Sequence, residues 1–233
     1  MTSLLSILVL GFLLGMRHAT DPDHVVAVTT IVARERRLWA SSLVGVFWGL
    51  GHTATVFFVG GAIVVFGVVI PPRIGLGMEL AVALMLVALG VTSLARVARS
   101  YRAEQGAADA PAPNDAVVPA PAWRAAARPV AVGVVHGLAG SAAVALLVLA
   151  TIHDPRWSLL YLGVFGVGTI AGMMVLTTAL ALPFAFTSRR FARVNTWLGG
   201  VTGLASVALG AVLSYQSVVV QGLFTSAPLW TPQ

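Results

Sequence analysis

Long apolar stretches occupy most of this chain, and they constrain its fold more than any other feature. A helix that crosses the hydrocarbon core of a bilayer needs about 20 mostly apolar residues. Only 9% of the chain is charged, against about 25% in a typical soluble domain, so it cannot build a soluble surface. The sequence therefore predicts an all-α fold, a polytopic membrane helix bundle with about six transmembrane helices. The six stretches are residues 3–33, 40–70, 76–97, 130–152, 157–186 and 194–218.

Residues 98–128 interrupt the apolar pattern and divide the chain into two halves. They contain a low-complexity run of Ala, Pro, Asp and Asn, which is typical of a flexible linker. Because each half has three spans, the halves have opposite orientations, an arrangement compatible with a 3+3 inverted repeat. The predicted organisation is a first three-helix half at 1–97, the linker at 98–128, a second three-helix half at 129–220 and an outer C-terminal tail at 221–233.

Arginine placement predicts how the helices are oriented. If alternate connectors share a side of the membrane, one side receives eleven arginines and the other receives only Arg73 and Arg156. Cytoplasmic loops of membrane proteins carry an excess of basic residues. We therefore expect a multi-pass protein of a bacterial plasma membrane, with the linker in the cytoplasm and both termini outside. The same asymmetry accounts for the net charge of +6 without a nucleic-acid partner.

Ionisable residues lie in the middle of the first predicted span, where charge is costly. An Asp at the bilayer centre costs about 2.5–3.5 kcal/mol on insertion scales, yet residues 17–24 read Arg-His-Ala-Thr-Asp-Pro-Asp-His. On a helix, His18, Asp21 and His24 would fall within an arc of about 120°. Pro22 makes the helix non-ideal and can turn Asp23 inward. A bound cation would compensate these groups, and a network of salt bridges and hydrogen bonds is the structural alternative.

Two further histidines lie within predicted spans. His52 follows Gly49 and Gly51, which permit close approach of another helix, so we expect it to reach the first span. For His136, metal contact, a proton relay and a purely structural role are all open. Imidazole together with carboxylate favours a transition metal over Mg²⁺ or Ca²⁺, and the chain has no cysteine. The candidate metal ligands are His18, Asp21, Asp23, His24, His52 and His136.

The segment 18–24 and the element Gly51-His52-Thr53 resemble two motifs of the nickel/cobalt transporter (NiCoT) family. The first family motif is His-Ala-x-Asp-Ala-Asp-His, and Pro22 stands here in place of its second Ala. Typical bacterial members have eight spans, so the resemblance is to a short, six-span type. It implies Ni²⁺ or Co²⁺ as the transported substrate and nickel-enzyme maturation proteins as partners. The residues that it places in the metal path are His18, Asp21, Asp23, His24 and His52.

The sequence as a whole predicts a secondary transporter, a permease for divalent transition-metal ions, with neither enzyme activity nor a cofactor. No Walker-type nucleotide-binding loop is visible in it. A metal efflux protein of the same fold stays open as an alternative, as does an accessory subunit of a larger importer. An intramembrane metalloenzyme is a further alternative, for which Glu79, at the edge of a span, is the candidate general base separate from the ligands.

Overall fold

The computed structural model describes residues 4–33, 37–106, 122–138, 149, 151–152, 154–190 and 192–230. Seven α-helices and a short π-helix at Gln216–Val220 can be traced through these residues, and no β-strand occurs among them. The α-helices are α1 (Leu4–His18), α2 (Pro22–Val32), α3 (Leu38–Phe66), α4 (Pro72–Gly106), α5 (Ala122–Leu138), α6 (Pro155–Arg190) and α7 (Ala192–Tyr215).

Four of these helices, α3, α4, α6 and α7, are long and apolar enough to cross a membrane, while α1, α2 and α5 are shorter apolar helices. Large apolar side chains cover their outer faces. Phe58, Phe66 and Trp197, for example, are 74%, 79% and 62% exposed. An extended apolar exterior of this kind is rare on soluble monomers, and it is consistent with a helical membrane protein.

The predicted first span, residues 3–33, is not one continuous helix. α1 ends at His18, and α2 begins at Pro22. Asp21 has an extended backbone, with φ −60° and ψ 145°, because a proline disfavours the helical conformation in the residue before it. Pro22 then takes a position at the start of α2 where its missing N–H has no partner to lose. The single helical arc predicted for His18, Asp21 and His24 is therefore wrong.

The helix boundaries also differ from the prediction near the linker. α4 continues to Gly106 and α5 begins at Ala122, so both ends of the predicted 98–128 linker are helical. The residues after 97 include Ala, Arg, Glu and Gln, which favour a helix. Residues 107–121 lie outside the described residues, as do most of 139–153. The predicted fourth span, 130–152, is therefore described as a continuous helix only up to Leu138.

The two long helices α3 and α6 lie at the centre of the packing. They contact each other extensively, α1 packs on α6, and α5 packs on α3. α4 and α7 form a further extensive pair. Trp48 of α3, Met173 of α6 and Val28 of α2 belong to one buried apolar cluster between these helices. The short helices α1, α2 and α5 are thus held against a central pair.

Glycine permits the close approach of α1 to α6. A Cβ atom at Gly15 would overlap the carbonyl oxygen of Phe165, and one at Gly168 would overlap that of Phe12. Small residues of this kind let two helix backbones meet within a membrane. Gly15 lies three residues before His18, so the contact fixes the end of α1 beside the middle of α6.

The contact of α5 with α3 repeats this pattern. A Cβ atom at Gly133 would overlap the carbonyl oxygen of Trp48, and one at Gly51 would overlap that of Val130. Gly133 again lies three residues before a histidine, His136. In both interfaces a glycine at the close contact therefore lies three residues before a histidine. Each interface places that histidine in the interior of the bundle.

Candidate metal centre

The break between α1 and α2 faces the middle of α3. His18 is the last residue of α1, and His24 lies in the first turn of α2. His52 lies at the centre of α3, and His136 comes from the last turn of α5. The exposed fraction of each of these residues is 6% or less. Four helices therefore bring four histidines together away from the surface.

The imidazole ring of His24 contacts those of the other three histidines. The ring centroid of His24 lies 4.2 Å from that of His136, 4.8 Å from that of His18 and 5.1 Å from that of His52. The Nε2 atoms of His18 and His52 are 3.0 Å apart. Two nitrogens bound at right angles to one ion are also about 3.0 Å apart, because each metal–nitrogen bond is about 2.1 Å long.

Asp23 lies within this cluster of histidines. Nε2 of His136 is 2.9 Å from its Oδ2 atom, and the backbone N–H of His24 donates to Oδ1 over 2.9 Å. Its side chain is only 18% exposed. Asp23 thus supplies negative charge to the interior of the cluster, where a cation would offset it.

Asp21 holds a different position. Its Oδ2 atom lies 2.8 Å from Nδ1 of His18, and its side chain is 37% exposed. A carboxylate that accepts the N–H of a ligating imidazole fixes the orientation of the ring and leaves its other nitrogen free for the metal. In this geometry Nε2 of His18 points to His52. Asp21 is therefore placed to orient His18 from the rim of the cluster.

Two groups of three side chains have the spacing that one metal ion requires. The first consists of His18, His24 and His52, and the second of Asp23, His24 and His136. Within each group, one ligand atom per residue lies within 4.8 Å of the others. Ligand atoms on opposite sides of an ion are about 4.2 Å apart. Small side-chain rotations would therefore bring the ligand atoms of either group to the distances that one ion requires. His24 belongs to both.

Several ring nitrogens of the cluster are buried without a hydrogen-bond partner among the described residues. They are both ring nitrogens of His24 and the Nδ1 atoms of His52 and His136. Oδ1 of Asp23 lies 3.2 Å from Nδ1 of His24, but at an angle that does not make a hydrogen bond. An unpaired buried polar atom costs about 1–3 kcal/mol, and folded proteins contain few of them. A cation that accepts these nitrogens as ligands would satisfy them.

The broken helix also directs a helix end to the site. At the end of α1 the carbonyl oxygen of Arg17 accepts the N–H and the hydroxyl of Thr20, and that of His18 accepts the N–H of Asp21. The C-terminal end of a helix carries partial negative charge, which favours a cation. Discontinuous helices occur at the ion sites of many transporters for this reason.

Two aromatic residues that the sequence motifs do not include enclose the cluster. The Trp48 ring is stacked on that of His24, with 6.1 Å between the centroids and 29° between the planes, and it meets His136 edge-on at 5.6 Å. The Phe165 ring lies 5.6 Å from that of His18. Trp48 precedes His52 by four residues on α3, so the two share a helix face, and this spacing is the signal that could have identified it.

The structure brings together all six residues that the sequence predicts as ligands. Five of them form the two groups described above, and Asp21 contacts the cluster through His18. Their role in binding a metal stays a prediction. The six residues come from α1, the turn after it, α2, α3 and α5.

Comparison with known proteins gives one relative along almost the whole chain. The urease accessory protein UreH of Bacillus sp. strain TB-90 is 36% identical over 225 residues, and the match covers 95% of this chain and 96% of the relative. No protein-family model and no solved structure matches the chain.

Proposed function

Because this chain belongs to the family of the urease accessory protein UreH, we propose that it is a membrane permease for a divalent transition-metal ion, Ni²⁺ or Co²⁺. The ion is the transported substrate, and it crosses a bacterial plasma membrane through the histidine and aspartate cluster. The resemblance of residues 18–24 to the NiCoT motif supports nickel or cobalt. The name of the relative supports a role in supplying an enzyme-maturation system.

One observation carries this proposal. His24 is fully buried, three further histidines and Asp23 surround it, and neither of its ring nitrogens has a hydrogen-bond partner among the described residues. A structural hydrogen-bond network would pair these atoms. Neutral imidazole with one or two carboxylates is a donor set that first-row transition metals prefer. The cluster is therefore better explained by a cation that binds and leaves than by internal pairing.

A 3+3 inverted repeat is the framework that we infer for transport. The matched glycine contacts of α1 with α6 and of α5 with α3 support it, because a two-fold axis that exchanges the halves would generate one from the other. The ring contacts agree, since His18 lies 5.6 Å from Phe165 and His136 lies 5.6 Å from Trp48. In transporters with such repeats, one half rocks against the other around a central site.

The membrane potential supplies sufficient energy for uptake. A doubly charged ion that moves inward across 100 mV gains about 4.6 kcal/mol, which corresponds to about three decades of accumulation. Proton coupling through the cluster would be an additional source, because a metal displaces protons from its ligands.

His24→Ala tests the proposal directly. We expect the variant to lose metal flux by more than about 100-fold, because changing even the partners of metal ligands lowers activity about 10- to 100-fold. Flux of ⁶³Ni²⁺ into proteoliposomes with an imposed inside-negative potential measures this. The matched control is His153→Ala, which removes the fifth histidine of the chain, placed by the sequence between the fourth and fifth predicted spans. Normal flux through His24→Ala, with the protein inserted to the same extent, would refute the site.

The same vesicles separate the alternatives. Flux that proceeds only from the side of the membrane that bears the linker to the opposite side would indicate efflux. Flux that requires a second protein would indicate an accessory subunit. The metalloenzyme alternative has a test of its own. Its candidate base, Glu79, accepts a hydrogen bond from Nε1 of Trp230 over 2.8 Å, and metal-dependent turnover of a lipid or peptide by the purified protein would support that alternative.

A further inference from the structure

A cavity separate from the histidine cluster lies between α2, α3, α4 and α5. Its volume is 540 Å³, within the range of about 300–1,000 Å³ that is typical of small-molecule sites. Its wall is mostly apolar and includes Leu43, Val44 and Phe47 of α3. Its charged lining groups are the guanidinium groups of Arg96 and Arg128. None of the six cluster residues lines it.

The charged and apolar parts of the wall lie at different levels along the helices. Leu89 lies seven residues before Arg96 on α4, which corresponds to about 10 Å along a helix. Val132 lies four residues after Arg128 on α5, or about 6 Å. Both arginines lie toward the linker that joins α4 and α5. The cavity is therefore amphipathic, with a cationic end at the linker and an apolar end inside the bundle.

The two arginines have no anionic partner among the described side chains. The ion pairs found there all belong to the histidine cluster, and neither guanidinium forms a hydrogen bond within the described part of the chain. Arg96 instead experiences the positive charges of Arg128 and Arg99. Two like charges above an apolar cavity are stabilised by an anion between them. They would repel a divalent cation, so this cavity is a poor path for the transported metal.

We propose that the cavity binds an anionic phospholipid, with its phosphate between Arg96 and Arg128 and an acyl chain against Phe47, Leu89 and Val132. Arginine matches phosphate oxygens with paired N–H donors. Basic pockets between membrane helices on the cytoplasmic side bind anionic head groups, and the expected orientation places the linker end there. A carboxylate of the linker itself, from Asp109 or Asp115, would satisfy the charges but would leave the apolar end unfilled.

Native mass spectrometry of the full-length protein tests this inference. The protein is incubated in detergent with equal amounts of phosphatidylglycerol and phosphatidylcholine that carry the same acyl chains. We expect phosphatidylglycerol adducts to dominate. Arg96→Gln and Arg128→Gln should each reduce that preference about five-fold, the effect of one basic residue near an anionic lipid. Arg102→Gln is the matched control, because Arg102 is exposed on the same helix and does not line the cavity.

A second variant tests the apolar end without any change of charge. Val44→Trp should fill part of the cavity and reduce bound phosphatidylglycerol while both arginines remain. An unchanged thermal unfolding midpoint in detergent shows that each variant is folded, whether or not the cluster binds Ni²⁺. An unchanged lipid preference in both arginine variants, or an equal loss in Arg102→Gln, would overturn the proposal. Two other results would also overturn it: displacement of the lipid by inorganic phosphate, and lipid binding that appears only when Asp109 and Asp115 are both changed to Asn.

Discussion

Asp21 and Asp23 are two residues apart in the sequence, yet they meet the histidine cluster in different ways. Asp23 lies inside it, close to both His24 and His136, whereas Asp21 contacts only His18 from a half-exposed position. Pro22 between them causes this difference because it starts a new helix. Substitutions of the two carboxylates should therefore weaken Ni²⁺ binding to different extents, although the two side chains are chemically identical.

We expect Asp23→Asn to abolish Ni²⁺ binding, because it removes the negative charge from inside the cluster. Asp21→Asn should weaken binding only about 10- to 100-fold, the usual effect of losing a partner that orients a ligating histidine. Isothermal titration of purified protein with Ni²⁺ measures both affinities. Equal losses in the two variants would contradict the distinct positions described here.

Trp48 is a further residue that the cluster depends on, because its ring contacts both His24 and His136. Trp48→Ala should lower Ni²⁺ flux by opening the cluster to water, and it should destabilise the bundle by about 3–5 kcal/mol as a buried aromatic truncation. Trp48→Phe should retain much of the Ni²⁺ flux and much of the stability of the bundle. Flux and unfolding measured on the same preparations separate the two effects, since a merely destabilised protein would transport normally at low temperature.

At the scale of helices, glycine contacts decide how closely the elements pack. Gly15→Ala and Gly133→Ala each place a Cβ atom against a backbone oxygen of the facing helix, so we expect each to destabilise the protein by about 1–3 kcal/mol. The control is Gly163→Ala on α6, where nothing lies within 4 Å of the added atom. That change should be neutral or stabilising by up to about 1 kcal/mol. Unfolding in mixed detergent micelles measures all three, and equal effects would contradict the interfaces.

Sequence patterns predict most of the long helices but not how the short ones meet. The apolar stretches near α3, α4, α6 and α7 lie close to the observed helices, because bilayer thickness sets their length. The break at Ala19–Asp21 could not be located from apolar length alone, since it depends on the local effect of Pro22. His136 joins Asp23 across 113 positions of sequence. Only the packing of α5 on α3 brings the two residues together. The sequence signal for this packing is a glycine, Gly133, three residues before His136.

The chain has no cysteine, so a single introduced cysteine can report on which side of the membrane a residue lies. We expect Ala112→Cys, in the linker, to react with a membrane-impermeant maleimide only after cells are opened. Thr231→Cys, near the C-terminus, should react in intact cells. Labelling in the reverse order would overturn the orientation drawn from the arginine distribution. Labelling of both sites from the same side would mean an even number of spans between them, instead of the predicted three.

If the cluster carries a metal ion as proposed, the ring of His24, common to both sets of potential ligands, affects the speed of transport. A dication that left one set completely would have to exist as a bare or hydrated species inside the bilayer, where solvating charge is most costly. An ion that keeps its bond to one imidazole can exchange its other ligands one at a time. In such a permease the free-energy barrier to ion passage is then set by the rotation of side chains while the imidazole of His24 stays bound to the ion. The loss and recovery of a hydration shell would not set that barrier.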